Sequence, residues 1–215
     1  MNLQTHPEPD LGSALATRVA ADLREAIALR GKASLAVPGG TTPAPFLDAL
    51  AGEDVDWGKV AVTLTDERCV SEDSDRSNAR LVRQHLVSKV AARFVPLYGA
   101  DNAEEAIRDI LPLDALVLGM GEDMHTASLF PGTPGLADLL DPDGARLLAQ
   151  VAPPGADEPR ITLTMAALAP ARNTYILIKG PGKRAALETA LATQDRTKAP
   201  IRAILESDPV VFHGD

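Results

Sequence analysis

Hydrophobic residues recur along this chain at two alternating spacings. Between positions 11 and 30 they fall on every fourth residue, the spacing of one face of an α-helix: Leu11, Leu15, Val19, Leu23 and Ile27. Elsewhere they form short continuous runs, which are typical of buried strands. We predict strands over 34–37, 59–65, 113–118, 160–164 and 173–179, with a short last strand at 210–212.

Helices are predicted between several of these strands. Thr42 is expected to cap a helix that has Pro43 at its first position. Further helices are expected over 77–90 and 102–110, and another begins at Lys183, after a Gly-Pro-Gly segment. The segment 142–159 is rich in Pro, Gly, Ala and Asp and is predicted to be a surface connection within one domain.

The alternation of strands and helices predicts an α/β fold with a parallel or mostly parallel central sheet and helices on both faces. The 215 residues are enough for a single domain spanning 1–215, and 45% of them are hydrophobic. Because aromatic residues make up only 3%, the core must consist mainly of Ala, Val, Leu and Ile.

Charge and composition exclude several classes of partner. A formal net charge of −9 argues against binding to nucleic acid or to an acidic membrane surface. It leaves an anionic small molecule possible, since local cations and helix N-termini can hold one. The single cysteine, Cys69, cannot form an internal disulfide, which fits a reducing compartment. No secretory signal and no apolar stretch of ~20 residues is visible, so we expect a cytoplasmic protein.

Glycine and threonine follow the strand at 34–37. Gly39 and Gly40 would let the backbone bend closely around an anion, and the next helix presents free N–H groups. The hydroxyls of Thr41 and Thr42 would add donors. No lysine follows as it does in a P-loop, and an ordinary tight turn explains the local pattern equally well.

Two further positions combine a cation with the end of an element. Asp66, Glu67 and Arg68 follow the strand at 59–65. The guanidinium group of Arg68 would bind a phosphate through two hydrogen bonds, and an adjacent acid would fix its orientation. A solvated, salt-bridged turn is the alternative. Lys183 stands at a helix start, where its ammonium group and backbone N–H groups would face the same anion, unless it is simply a solvated lysine.

The segment from Gly119 to Gly132 presents a carboxylate and an imidazole directly after a buried strand. Asp123 and His125 lie two residues apart in it, as at the mouth of an active site. The Gly119-Met120-Gly121 opening is similar to a dinucleotide-binding loop, but the sixth position is Met124 instead of glycine. We therefore reject that interpretation.

Taken in order, these motifs resemble the 6-phosphogluconolactonase family. The shared pieces are PGGTTP, TDER, Ser77-Asn78, LGMGEDMHTASLFPG, RITLT and GPGK, spread from about residue 34 to 190. The resemblance implies a Rossmann-like fold related to that of glucosamine-6-phosphate deaminases. It also implies hydrolysis of 6-phosphoglucono-δ-lactone in the oxidative pentose phosphate pathway, without a metal or a redox cofactor.

The resemblance also implies roles for particular residues. His125 is the candidate general base, and Asp123 matches a family acid beside it. Gly39, Gly40, Thr41, Arg68 and Lys183 fall where the family handles the sugar phosphate. Thr42 and Asp66 belong to the same two motifs and are included in the expected binding set, together with Arg160, which matches a family arginine that opens a late strand.

One position departs from the family pattern. The residue before the histidine is usually glycine, and here it is Met124. If that position has a positive φ, a methionine there is strained.

Other interpretations stay open beside this one. A nucleophilic Ser128 is the rival chemistry, although no G-x-S-x-G elbow surrounds it. The rival proteins are an amino-sugar-phosphate deaminase/isomerase and a non-catalytic sugar-phosphate-binding module. The oligomeric state cannot be deduced from the sequence.

Overall fold

The computed structural model describes residues 1–215 and contains ten strands and eight α-helices. The strands are β1 Asn2–His6, β2 Ala33–Val37, β3 Val60–Leu64, β4 Asp66–Arg68, β5 Arg93–Val95, β6 Ala115–Leu118, β7 Leu148–Val151, β8 Arg160–Leu163, β9 Thr174–Lys179 and β10 Val210–Gly214. The helices are α1 Glu8–Arg30, α2 Ala44–Ala51, α3 Asn78–His85, α4 Ala103–Arg108, α5 Leu136–Leu139, α6 Met165–Leu168, α7 Gly180–Ala192 and α8 Ile201–Leu205. Short 3₁₀ turns span Trp57–Lys59 and Val87–Lys89.

Seven strands form one parallel sheet in the order β1-β10-β9-β6-β2-β3-β5. A second, antiparallel sheet of three strands has the order β4-β8-β7. The central strands β2, β3 and β6 are buried along their whole length, which explains why they appear in the sequence as continuous apolar runs.

Helices cover both faces of the parallel sheet. The chain moves in one direction along the sheet from β1 through β2 and β3 to β5, and in the opposite direction from β6 through β9 to β10. Because parallel crossovers are right-handed, α1, α2 and α3 lie on one face, and α4, α7 and α8 lie on the other. The close packing of α1 on α2, and of α7 on α8, agrees with this arrangement. The predicted Rossmann-like α/β fold is therefore confirmed.

One hydrophobic cluster of 57 buried residues joins the sheet to its helices. Leucine, valine, alanine and isoleucine dominate it, as the low aromatic content requires. On α1, Leu15, Val19 and Leu23 are fully buried, whereas Leu29 is 69% exposed. The helix therefore presents one face to the core over most of its length.

Several elements differ from the sequence-based expectation. The strands β1, β4, β5 and β7 were not expected; each is short and carries polar or exposed residues, so none of them forms an apolar run. β7 lies inside the segment 142–159, which is therefore not a simple surface connection. β8 belongs to the small antiparallel sheet and not to the main one.

Helix boundaries differ as well. Thr42 does not cap α2, because the helix begins at Ala44 with Pro43 at the cap and no side-chain hydrogen bond. α3 ends at His85 and a 3₁₀ turn follows. α7 begins at Gly180, so Lys183 lies in its first turn. No helix combines the length and the apolar character needed to cross a membrane.

Two of the leucines of α1, Leu23 and Leu29, give a matched test of the core. Leu23→Ala is expected to lower the free energy of unfolding by about 2–5 kcal/mol, because it removes apolar contacts and leaves a cavity. Leu29→Ala, on the exposed side of the same helix, should change it by less than about 0.5 kcal/mol. Chemical denaturation measures both. Equal losses in the two variants would contradict this placement of α1.

Candidate active site

The direction in which the chain crosses the sheet reverses between β2 and β6. β2 continues to β3 on one side, whereas β6 continues to β9 on the other, so the loops that follow these adjacent strands diverge. A crevice opens at such a point beyond the carboxyl ends of parallel strands. Here it is a cleft of about 340 Å³.

Nine of the ten residues proposed for the site from the sequence line this cleft. They are Gly39, Gly40, Thr41, Thr42, Asp66, Arg68, His125, Arg160 and Lys183. The tenth, Asp123, contacts the cleft through His125. The structure thus brings together residues that are up to 144 positions apart in the sequence, from Gly39 to Lys183.

The turn after β2 approaches α3 so closely that it needs a glycine. A Cβ atom on Gly39 would lie 1.8 Å from Oδ1 of Asn78, and Gly40 has a φ of +93°. The backbone N–H groups of positions 39–42 donate no hydrogen bond within the protein. They are therefore available to an anion in the cleft, next to the N-terminus of α2.

The imidazole of His125 is held by a carboxylate and an aromatic ring. Its Nδ1 lies 2.5 Å from Oδ1 of Asp123, and its ring stacks on Phe130 with centroids 3.8 Å apart. The hydrogen bond from His125 lowers the pKa of the Asp123 carboxyl below its usual value. An ionised carboxylate can only accept, so the proton of a neutral imidazole sits on Nδ1, and Nε2 is left with a free lone pair.

The loop that carries His125 is backbone-strained and tightly hydrogen-bonded. Met124 has a φ of 65° and Ala127 a φ of 47°, both in the left-handed region. Gly121 N donates to the His125 carbonyl at 2.9 Å, and Ile201 N donates to the Met124 carbonyl at 3.1 Å. The departure from the family pattern at Met124 therefore falls on a conformation that favours glycine.

Position 121 needs a glycine because the side chains of His125 and Asp123 lie directly against its backbone, and not because of its φ. A Cβ atom there would lie 2.1 Å from Nδ1 of His125 and 2.2 Å from Oδ1 of Asp123. Any larger residue would push the histidine and its carboxylate partner apart.

Arg68 has no carboxylate partner. Its Nη1 donates to the carbonyl of Arg76 at 2.5 Å, and its Nε is buried without a hydrogen bond. The expectation that an adjacent acid fixes its orientation is therefore wrong. The adjacent Glu67 turns away to the start of α3, which leaves the charge of Arg68 uncompensated in the cleft.

Glu67 organises the site from beneath, a role that the sequence did not reveal. Its buried carboxylate accepts from the backbone N of Arg68 (2.6 Å), Asn78 (2.8 Å) and Ala79 (2.7 Å), and from the hydroxyl of Ser77 (3.1 Å). A negative charge at the N-terminus of α3 is also favoured by the helix dipole. Ser77 caps this helix, and its hydroxyl accepts from the backbone N of Arg80.

Asp66 and Arg160 lie side by side on the wall formed by the small sheet. Nη1 of Arg160 lies 4.0 Å from Oδ2 of Asp66, and its guanidinium group lies 5.3 Å from the centroid of the Phe130 ring. The Nε of Arg160 is buried without a partner.

Lys183 is a free cation at the start of α7. It forms no ion pair or hydrogen bond, whereas the nearby Lys179, which also lines the cleft, pairs with Glu8. Lys179 and Asn78 were missed from the sequence. The signals were the position of Lys179 beside Gly180 and the place of Asn78 in the shared Ser77-Asn78 motif.

Ser128 is fully buried and does not line the cleft. Its hydroxyl lies 2.5 Å from Oδ2 of Asp66, and its backbone N donates to Thr162. A hydroxyl held in this way by a buried carboxylate is a structural group, so the geometry disfavours the nucleophilic role. No group of three or more His, Cys, Asp or Glu side chains is arranged to hold a metal ion.

Fold and site together define an α/β protein with a polar, cation-rich small-molecule cleft at the switch point of a parallel sheet. The chain belongs to the family described as glucosamine-6-phosphate isomerases/6-phosphogluconolactonase, whose model matches residues 7–212.

Individual relatives agree with this membership. The chain is 47% identical over 206 residues to a protein of Rhizobium meliloti named 6-phosphogluconolactonase, covering 91% of this chain and 89% of that one. It is 48% identical over 212 residues to one of the same name from Mesorhizobium japonicum, covering 94% and 88%. A crystal structure of a 6-phosphogluconolactonase from Shewanella baltica superposes with a TM-score of 0.91 at 35% identity, covering 100% and 97%.

Replacing the carboxylate of Glu67 tests its role in the fold. Glu67→Gln is expected to lower the free energy of unfolding by about 2–4 kcal/mol, because an amide cannot accept from all four donors and leaves buried N–H groups unpaired. Glu72→Gln is the control, since Glu72 is half-exposed and pairs only with Arg83. It should change stability by less than about 1 kcal/mol. A similar loss in both variants would refute the role given to Glu67.

Proposed function

We propose that this protein hydrolyses 6-phospho-D-glucono-1,5-lactone to 6-phospho-D-gluconate. The observation that carries the proposal is one cleft that holds both an imidazole oriented by a carboxylate and two cations without carboxylate partners. The first pair suits the attack of water on an ester, and the second suits a phosphate group. The names of the relatives support the same substrate class.

The phosphate serves as a handle in this proposal. Arg68, Lys183 and the free N–H groups of 39–42 bind it, and the hydroxyls of Thr41 and Thr42 add donors. Asp66 and Arg160 offer an acceptor and a donor to the hydroxyl groups of the sugar ring. Binding energy from the phosphate then places the lactone carbonyl beside His125.

His125 acts as the general base. Its Nε2 takes a proton from a water molecule while the water oxygen attacks the lactone carbonyl carbon. Asp123 keeps the proton on Nδ1 and stabilises the resulting imidazolium. The developing oxyanion is stabilised by backbone N–H groups of the glycine-rich turns. When the intermediate collapses, the C–O bond of the ring breaks and the leaving oxygen takes the proton from His125.

One general base is sufficient in this mechanism because the substrate is an activated ester. A positioned base typically contributes ~10²–10⁴-fold, and a δ-lactone already hydrolyses slowly without help. Hydrolysis changes no oxidation state, so the step itself requires no redox cofactor, and the proposed mechanism includes no metal.

In the cell, we place this reaction in the oxidative pentose phosphate pathway in the cytoplasm. Residues 1–215 would act as one lactonase domain whose partner is a phosphorylated sugar lactone, with no role for nucleic acid or membrane.

Removing the base tests the reaction class and the mechanism together. His125→Ala is expected to lower kcat by about 10²–10⁴-fold, because it removes the imidazole that takes the proton from water. The substrate is generated fresh, the spontaneous rate is subtracted, and EDTA is present. His85→Ala is the control, since His85 pairs with Asp48 outside the cleft.

Each result has a definite meaning. Turnover that survives EDTA and is lost only in His125→Ala supports both the activity and the base. Full activity in a folded His125→Ala protein would show that the base is another group. Absence of turnover in the wild type would reject the lactonase, and assays for sugar-phosphate deamination and for sugar-phosphate binding would then follow.

The phosphate handle is tested by comparing two lactones. Arg68→Ala is expected to raise KM for the phosphorylated lactone by about 10–100-fold, the effect of losing one or two charge-assisted hydrogen bonds. Its kcat/KM for unphosphorylated gluconolactone should stay within about twofold. Arg80→Ala, which removes an exposed arginine paired with Asp75, serves as the control. Equal losses on both lactones would contradict the handle.

A further inference from the structure

A second groove lies at the amino ends of the strands of the main sheet, opposite the candidate active site. It has a volume of about 440 Å³ and is formed where β2, β3, β5 and β6 begin. These strands are parallel, and the candidate active site lies at their carboxyl ends. The groove and the candidate active site are therefore separated by the length of β2. At ~3.3 Å per residue, the step from Lys32 to Gly39 places the two sites roughly 20 Å apart.

The groove is positively charged in a protein that is strongly negative. Its lining has two carboxylates, Asp109 and Asp114, against five cations, although the whole chain has a net charge of −9. The cations come from four separate parts of the chain: Arg30 and Lys32, Lys59, Arg93, and Arg172.

A buried carboxylate fixes two of these cations in place. Oδ1 of Asp114 accepts from Nη2 of Arg30 at 2.6 Å and lies 3.3 Å from Nε of Arg172, while Oδ2 accepts from the backbone N of Ser34 at 2.9 Å. The Asp114 side chain is only 8% exposed. It therefore orients two guanidinium groups whose remaining N–H groups form no hydrogen bond in the protein.

Two more cations have no partner at all. Lys32 and Arg93 form no ion pair and no side-chain hydrogen bond, and both are exposed beside the groove. Lys59, by contrast, is held by Asp56 at 2.8 Å. The positive charge of the groove is thus left uncompensated at Lys32 and Arg93.

Helix-dipole compensation does not account for this cluster. Arg30 lies in the last turn of α1, where a cation is favoured. Lys32 follows the helix cap, Arg93 lies on β5, and Arg172 precedes β9. Arg93 and Arg172 therefore lie away from any helix end, although they converge on the same groove as the other three cations.

The rest of the lining is partly apolar. Val60, Ile110, Leu111 and Pro112 contribute to it, and the volume is in the range of small-molecule sites. Val60 and Ile110 are buried beneath the groove, whereas Leu111 is half-buried and Pro112 is exposed. A bare inorganic anion would use the cations and leave Leu111 and Pro112 without a contact.

We propose that this groove binds an organic phosphate. The phosphate groups lie on Arg30, Arg172, Arg93 and Lys32, and the body of the ligand lies on the apolar residues of the lining. The site is separate from the catalytic cleft and does not depend on the function proposed for that cleft.

The experiment titrates the protein with ATP as the probe. The chain has one tryptophan, Trp57, which directly precedes Gly58 and Lys59 of the groove, so its fluorescence is followed during the titration as a second readout. Calorimetry provides the affinity. The double variant Lys32→Ala/Arg93→Ala is expected to bind ATP at least tenfold more weakly, since it removes the two free cations without unpairing Asp114.

Two controls and one charge reversal assign the binding to the groove. Arg184→Ala/Lys198→Ala makes the same charge change at exposed positions elsewhere and should leave the affinity within about twofold. Arg68→Ala alters the catalytic cleft and should leave the Trp57 signal unchanged. Arg93→Glu reverses one exposed charge of the groove. It should weaken ATP binding more than Arg93→Ala, which only removes that charge.

Other outcomes would overturn the proposal. They are the absence of saturable ATP binding at millimolar concentration, an equal loss in the charge-matched control, or a loss in Arg68→Ala alone. Inorganic triphosphate that binds as tightly as ATP would also overturn it, because the apolar lining would then contribute nothing.

Discussion

The reversal of the crossover direction between β2 and β6 is the constraint on which the site depends. The loops after these adjacent strands must diverge, and their divergence creates the cleft. One loop presents the unpaired N–H groups of 39–42, and the other presents His125. Because both loops leave fully buried strands, the functional groups are attached directly to the core of the sheet. The small sheet and the first turn of α7 then add Arg68 and Lys183 from the sides.

Buried carboxylates hold the polar groups around this crevice. Glu67 binds the start of α3, which places Asn78 against Gly39 and leaves Arg68 without a carboxylate partner. Asp66 in turn holds the hydroxyl of Ser128. A buried charge is tolerated only when hydrogen bonds replace its water, and both carboxylates meet that condition. Arg68 keeps its charge uncompensated because the two acids that precede it, Asp66 and Glu67, are already engaged in hydrogen bonds.

The long, periodic or fully buried elements could be predicted from the sequence, and the short, half-exposed ones could not. α1, β2, β3, β6 and β9 show clear apolar patterns, whereas β7 has only two buried residues and gives no such signal. The site was predictable because Gly39, Arg68 and His125 follow strands. The partner of each charged side chain could not be predicted. The sequence suggested that Glu67 pairs with Arg68, but in the folded chain its carboxylate caps α3. Such a pairing depends on where a helix arrives, and local spacing does not contain that information.

Met124 shows how strongly the fold constrains the loop of His125. A left-handed conformation costs an L-residue roughly 1–2 kcal/mol, yet the methionine adopts it. Its carbonyl is fixed by Ile201 N and its own N–H by the carbonyl of Gly121, so two hydrogen bonds define this backbone whatever the side chain. The side chain also packs against the hydrophobic core, which offsets part of the cost. The position therefore has a conformation imposed by its neighbours, and this is why a glycine site can accept a methionine and keep the histidine in place.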